Sequence, residues 1–297
     1  MIITDITKIG DPQIVFYEGN YYCYATSSEE GFCVFTSKNL VDWSEPRLCF
    51  RAIDYWGKSH FWAPEVVFHN GKFVMHYTAK SRELDSLRIG VAVSDSPEGP
   101  FVDVHNAPIF DLGYAAIDGS VLISDEGNFL YYSRDCSENR VDGIPTSQIY
   151  CVRMDGSLTK VVGDHVLIST PTEPYELKSK QLDLPCLWNE GPCVIRLGDK
   201  YVLNYSANCY ATNDYAICVS TADSPFGPFI KSHNNPVELK AEGLFGAGHN
   251  AFFESNGELY TSYHIQTDPA NPSGDRRVVI GKVCFSLDEK GIKQVVE

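Results

Sequence analysis

The 297-residue chain contains no Cys-x-x-Cys pair, no lysine- or arginine-rich run, no long uncharged apolar stretch and no extended segment with helical period and caps. Each absence removes a class of protein. Ten cysteines, at 23, 33, 49, 136, 151, 186, 193, 209, 218 and 284, lack the spacing of a zinc ribbon or a thioredoxin-like centre. They sit in apolar runs such as "YYCYA" and "AICVS" and read as reduced, buried, small hydrophobes. With 24 basic against 39 acidic residues the formal charge is -15, which disfavours the phosphate contacts that nucleic-acid binding depends on. A membrane span needs about eighteen or more consecutive apolar residues, and none is present. The start, "MIITDITKIG", has no basic region followed by an apolar one. These features set the expectation of a cytoplasmic protein that binds neither membrane nor nucleic acid.

In place of helices there is a module that recurs five times: a polar residue, a short apolar strand, a glycine turn and a second apolar or aromatic strand. The copies are "DPQIVFYEGNYYCYA" from Asp11, "PEVVFHNGKFVMHYTA" around Glu65, "DGSVLISDEGNFLYYS" from Asp118, "EGPCVIRLGDKYVLNYS" from Glu190 and "HNAFFESNGELYTSYH" from His249. Their turns place Gly19, Gly71, Gly127, Gly198 and Gly257 where tight hairpins favour positive φ. Segments between the modules, such as "RIGVAVS" and "RRVVIGKVCF", are strand-like as well. Leading residues 54, 53, 72 and 59 positions apart leave room for about four strands per repeat, the size of a propeller blade. The expected fold is all-β, a single five-bladed β-propeller over 1–297, with a β-sandwich or jelly roll as the alternative. "SDSPEGPF" and "ADSPFGPF" then read as the same turn on successive or near-successive blades.

In a propeller the innermost strands surround one axis, so Asp11, Glu65, Asp118, Glu190 and His249 are expected at equivalent positions around one mouth of the channel. Clustered carboxylates raise one another's pKa and are costly. Cation binding and acid–base catalysis are the two reasons to keep them. Glu190, in "CLWNEGPCV", has Leu187 and Trp188 to desolvate it, which favours a proton donor. "YWGKSHFWAPEV" adds Trp56, His60, Phe61 and Trp62, aromatic surfaces of the kind on which sugar rings stack.

The ordered set "GDPQIV", "FWAPEV", "IDGS", "NEGPCV" and "GHNAFF" resembles glycoside hydrolase family 43, five-bladed propellers that cleave arabinose- and xylose-containing saccharides. The resemblance implies Asp11 as general base, Glu190 as general acid and Asp118 as the residue that tunes and orients the acid. It implies inversion at the anomeric carbon, with no cofactor needed for the chemistry. His249 matches a histidine that faces a channel calcium ion or water cluster in many relatives, directly or through water. Glu65, Trp62, Phe61, Trp188, His249, Arg276 and Arg277 are the expected substrate-binding residues. The expected partners are arabinose- or xylose-containing oligosaccharides, with α-L-arabinofuranosidase favoured over β-xylosidase. Two other classes stand beside this reading: a non-catalytic carbohydrate-binding propeller, and a retaining fructan or sucrose hydrolase.

Overall fold

Alternation along each inner hairpin divides its side chains between two neighbours. In the strand Asn20–Thr26, Tyr22 and Tyr24 join one apolar cluster while Tyr21, Cys23 and Ala25 join another. In Gly127–Arg134, Leu130 and Tyr132 face one neighbour while Phe129 and Tyr131 face the next. Burial on both faces explains why these strands read as nearly continuous apolar runs.

The computed structural model describes residues 1–181, 185–272 and 274–297. Its strands form five antiparallel blades around an axis. The inner strands are Ile2–Tyr17, Gly57–His69, Ala116–Ser124, Leu187–Leu197 and Gly248–Ser255. They touch in that order, and the fifth touches the first, closing the ring. Five apolar clusters, one between each pair of neighbouring blades, make up the core.

The first strand does two jobs. Residues 2–9 pair with Arg276–Asp288 as the outer strand of the fifth blade, and from Gly10 the same strand becomes the inner strand of the first. The chain thus fastens its last blade with its first strand. The two "SPxGPF" turns belong to the second and fourth blades, two blades apart, where the carbonyls of Pro97 and Pro225 accept hydrogen bonds from the buried Tyr24 and Tyr131 hydroxyls.

Among the described residues all ten cysteines are free. Five are buried, as expected, but Cys284 is exposed and Cys33, Cys136, Cys186 and Cys209 are half-buried. Leu130, fully buried between the second and third blades, reports on the packing between blades. Leu130→Ala should cost about 2–5 kcal/mol in a denaturant melt.

Candidate active site

A β-bulge recurs in every inner strand. Gly10 pairs with Thr26 but Gln13 pairs with Tyr24, so three steps on one strand match two on its partner. The same slip separates Trp62 from Glu65, Ile117 from Ser120, Glu190 from Cys193 and Gly248 from Ala251. The residue inside each bulge, Asp11, Ala63, Asp118, Gly191 or His249, has positive φ.

This register corrects the expected equivalence. Asp11, Asp118 and His249 do occupy the same place in their blades, but Glu190 lies one residue before it and Glu65 two residues after. The shift has a chemical effect. Trp62, Ile117 and Glu190, each one residue before the bulge residue, line a 570 Å³ cleft together with Asp11, Asp118 and His249. Residues two places after it, including Gln13, Glu65, Ser120 and Ala251, line a separate cavity in the channel.

Each bulge residue also donates its backbone N–H to the preceding blade. Ala63 N–H reaches Thr26 Oγ1 at 2.8 Å, Asp118 reaches Thr78 Oγ1 at 3.1 Å and Gly191 reaches Ser133 Oγ at 3.2 Å. His249 N–H reaches Ser206 Oγ at 2.7 Å, and Asp11 N–H closes the circle on His264 Nδ1 at 3.2 Å. Because Nδ1 accepts, the hydrogen of the neutral ring lies on Nε2. Burial pushes the His264 pKa well below its ordinary value, and the nearby Arg276 charge adds to the effect.

Asp11 has both carboxylate oxygens engaged. Oδ1 lies 3.2 Å from Arg276 Nη1 and 3.2 Å from His249 Nδ1, and Oδ2 accepts the Thr26 hydroxyl at 2.6 Å. Burial pushes this carboxyl up, but His249, Arg276 and the Thr26 hydroxyl oppose it and hold Asp11 well below the usual carboxylate range. Gly10 makes the approach possible, since a Cβ there would lie 2.2 Å from an Arg276 guanidinium nitrogen.

Glu190 has the opposite environment. Burial, followed by the neighbouring Asp118 charge, pushes its carboxyl well above the ordinary range, against one lowering contact from the Tyr215 hydroxyl at 2.9 Å. The desolvation expected for Glu190 is therefore present, and Asp118 adds to it. Asp118 Oδ2 accepts the Gly191 N–H at 3.1 Å and the Ser133 hydroxyl at 3.2 Å, which places it beside the backbone that carries Glu190. One cleft thus holds a carboxylate kept ionised and a carboxyl kept protonated, the pairing that general base and general acid require.

Trp62, Trp188, His249 and Arg276 line the cleft as expected. Three other expected substrate contacts do not. Phe61 is 2% exposed in the core between the first two blades, because strand alternation turns it away from Trp62. Arg277 alternates away from Arg276 and is absent from the cleft lining. Glu65 faces the channel, where its Oε1 accepts the Val121 N–H at 2.8 Å. Gln13 makes the equivalent link from the first blade to the Val66 backbone, so Glu65 acts as a clamp between blades. Burial raises its carboxyl to about 7.

Sequence reasoning missed Tyr215, Tyr210, Thr26 and His264. Tyr210 lies under the Arg276 guanidinium, 5.0 Å from the cation, and so helps to place the arginine against Asp11. Cys136 also lines the cleft.

The channel cavity fits a calcium ion poorly. Calcium takes six to eight oxygen ligands, whereas the cavity measures only 20 Å³, about the room of one water molecule. Its lining holds the carboxylates of Asp11, Glu65 and Asp118, each already engaged in hydrogen bonds, together with His249, whose Nδ1 lies 3.2 Å from Asp11 Oδ1, and the unpartnered Asn250 Oδ1. Among the described residues, no group of three or more His, Cys, Asp or Glu side chains is arranged to hold a metal.

A model of glycosyl hydrolases family 43 matches residues 6–290. The chain belongs to that family. A thermostable family-43 glycoside hydrolase of known structure is 41% identical, with a TM-score of 0.89 over 98% of this chain and 94% of that one. An endo-1,4-beta-xylanase from Bacteroides thetaiotaomicron is 30% identical, with a TM-score of 0.82 over 98% of this chain and 94% of that one. An arabinoxylan arabinofuranohydrolase of Paenibacillus polymyxa is 26% identical over 88% of this chain, which spans 45% of that protein's length. The family's five-bladed propeller is the fold described above.

Two measurements test the site. Glu190 is ionised in the unfolded chain above about pH 4.3 and must regain a proton to fold, so its raised pKa costs stability above that pH. Glu190→Gln should therefore melt higher than the parent protein at pH 7, and the difference should shrink as the pH falls toward the ordinary glutamate value of about 4.3 and be absent below it. Dialysis against EDTA should leave both turnover and melting temperature unchanged, with no stoichiometric calcium found by elemental analysis.

Proposed function

We propose that this glycoside hydrolase removes α-L-arabinofuranosyl units from arabinan- or arabinoxylan-derived saccharides with inversion at the anomeric carbon. The carrying observation is the opposed protonation of Asp11 and Glu190 in one cleft. Water activated by the Asp11 carboxylate attacks the anomeric carbon and gives its proton to Asp11. The bond to the leaving oxygen breaks in the same step, and that oxygen takes the Glu190 proton. Arg276 and His249 keep the base ionised, and the charge of Asp118 helps to keep the acid loaded.

Two further points support the choice of sugar. The Paenibacillus relative is named for arabinofuranosyl removal from arabinoxylan. The cleft also shares Thr26, His60, Trp62 and Arg276 with a wider groove of 1030 Å³, which offers room for a saccharide longer than one unit. The xylanase relative favours a second reading, action on β-xylosidic bonds by the same residues.

A panel of nitrophenyl α-L-arabinofuranoside, nitrophenyl β-D-xyloside, arabino-oligosaccharides and arabinoxylan oligosaccharides decides between them. Release of arabinose is expected. Release of xylose alone would select the second reading, and inactivity on all of them would overturn the assignment. Proton NMR of the first-formed sugar should show the inverted anomer, and Asp11→Asn should abolish turnover while leaving the fold intact. A retained anomer would indicate a nucleophile in place of a general base.

A further inference from the structure

We infer that Tyr215 is a positioning residue for the general acid: its hydroxyl holds Glu190 Oε1, so that the proton to be donated is carried on Oε2. The inference rests on the acid role given to Glu190 above and concerns what makes that side chain directional. Tyr215 begins the third strand region of the fourth blade, just before Ala216–Ala222, and is 3% exposed. Its O–H donates to Glu190 Oε1 at 2.9 Å. Burial and the neighbouring Glu190 charge push the phenol well above its ordinary pKa, so it remains a donor at every pH at which the protein works.

The ring has little freedom to leave this position. On one side it stacks on His264, with centroids 5.5 Å apart and planes 9° from parallel. Gly248 also lies against the ring, where a Cβ would approach it to 2.1 Å. His264 is the residue that accepts the Asp11 N–H. The side chain that holds the acid is therefore packed on the one that holds the base's backbone.

The two oxygens of Glu190 become unequal. With Oε1 occupied by a donor, the carboxylic hydrogen resides on Oε2, and it passes from there to the leaving glycosidic oxygen as the bond to the anomeric carbon breaks. The Tyr215 hydrogen bond then stabilises the resulting carboxylate. The other charged or titratable groups facing Glu190 are Asp118, Asp135, Cys136 and Cys209, and Asp11 and Asp118 also act on Tyr215. None of them offers a second fixed donor to the Glu190 carboxyl.

The test compares leaving groups, using glycosides of whichever sugar the parent enzyme turns over. Tyr215→Phe should lower kcat/KM on an alkyl or unactivated aryl glycoside by about tenfold or more, the scale of a lost hydrogen bond to a charged group. On the 2,4-dinitrophenyl glycoside, whose leaving group needs no proton, the change should stay within about twofold. Because the hydroxyl favours the carboxylate form, its loss raises the Glu190 pKa, and the basic limb of the pH profile should move to higher pH. An equal loss on both leaving groups, or an unmoved basic limb, would overturn the inference. Gly248→Ala, which displaces the ring while keeping its hydroxyl, should reproduce the selective loss if Tyr215→Phe folds poorly. Glu190→Gln separates the two layers of argument: if it shows the leaving-group dependence and Tyr215→Phe does not, only the role of the tyrosine fails, and if neither shows it, the acid assignment itself fails.

Discussion

Five hydrogen bonds, from each bulge N–H to the second strand of the preceding blade, hold the working end of this propeller together. Around the circle the bulges bring residues of two strand positions, Trp62, Ile117 and Glu190 from one and Asp11, Asp118 and His249 from the next, to the same cleft, while residues two places beyond the bulge line the channel. Without the extra residue, strict alternation would place Glu190 and the Asp118-type positions on opposite faces. The hydrogen bonds then secure that geometry across the blade boundaries. Four of the acceptors are hydroxyls, and the fifth, His264, closes the ring beside the base.

The chemistry follows from how charge is distributed around this circle. Asp11 sits at the ring closure, where two histidines and an arginine converge on its carboxylate. Glu190 sits where the nearest full charge is another carboxylate and the supporting groups are a neutral phenol and an apolar wall. Two buried acids in a single cleft are thus driven in opposite directions by neighbours their blades supply. That is the condition for running base and acid catalysis at one pH. Glu65 also has its carboxyl raised by burial, yet its position on the channel side gives it a structural task.

Much of this was legible in the sequence. Glycine turns, apolar runs and the five leading motifs gave the blade number and most of the cleft, and Asp11, Asp118, Glu190, His249, Trp62, Trp188 and Arg276 were all identified. What could not be read was the bulge, because an extra residue in a ladder leaves no mark in a hydrophobicity pattern. Aligning the acids by type placed Glu65 and Glu190 in a common register from which each in fact departs. Phe61 and Arg277 were misplaced for a related reason, since adjacent residues on a strand face opposite ways and the sequence did not say which faced outward. A usable signal was present in the second strands. Thr78, Ser133, Ser206 and His264 each directly follow a tyrosine, in "HYT", "YYS", "NYS" and "SYH", and these are four of the five ring acceptors. Tyr215 carried no such signal, since its meaning depends on Gly248 and His264, which lie far along the chain.

The doubled role of the first strand bears on how the protein reaches this state. Thr4 Oγ1 donates to the Val278 carbonyl across 274 positions of chain, so the seam joining the first and last blades closes only after nearly all of the polypeptide is available. During synthesis the early blades can pack on one another, but residues 2–9 must wait as an unpaired edge for their partner. Asp11 belongs to that same strand. Asp11, the proposed general base, therefore acquires Arg276 and the histidines beside it only at the moment of closure.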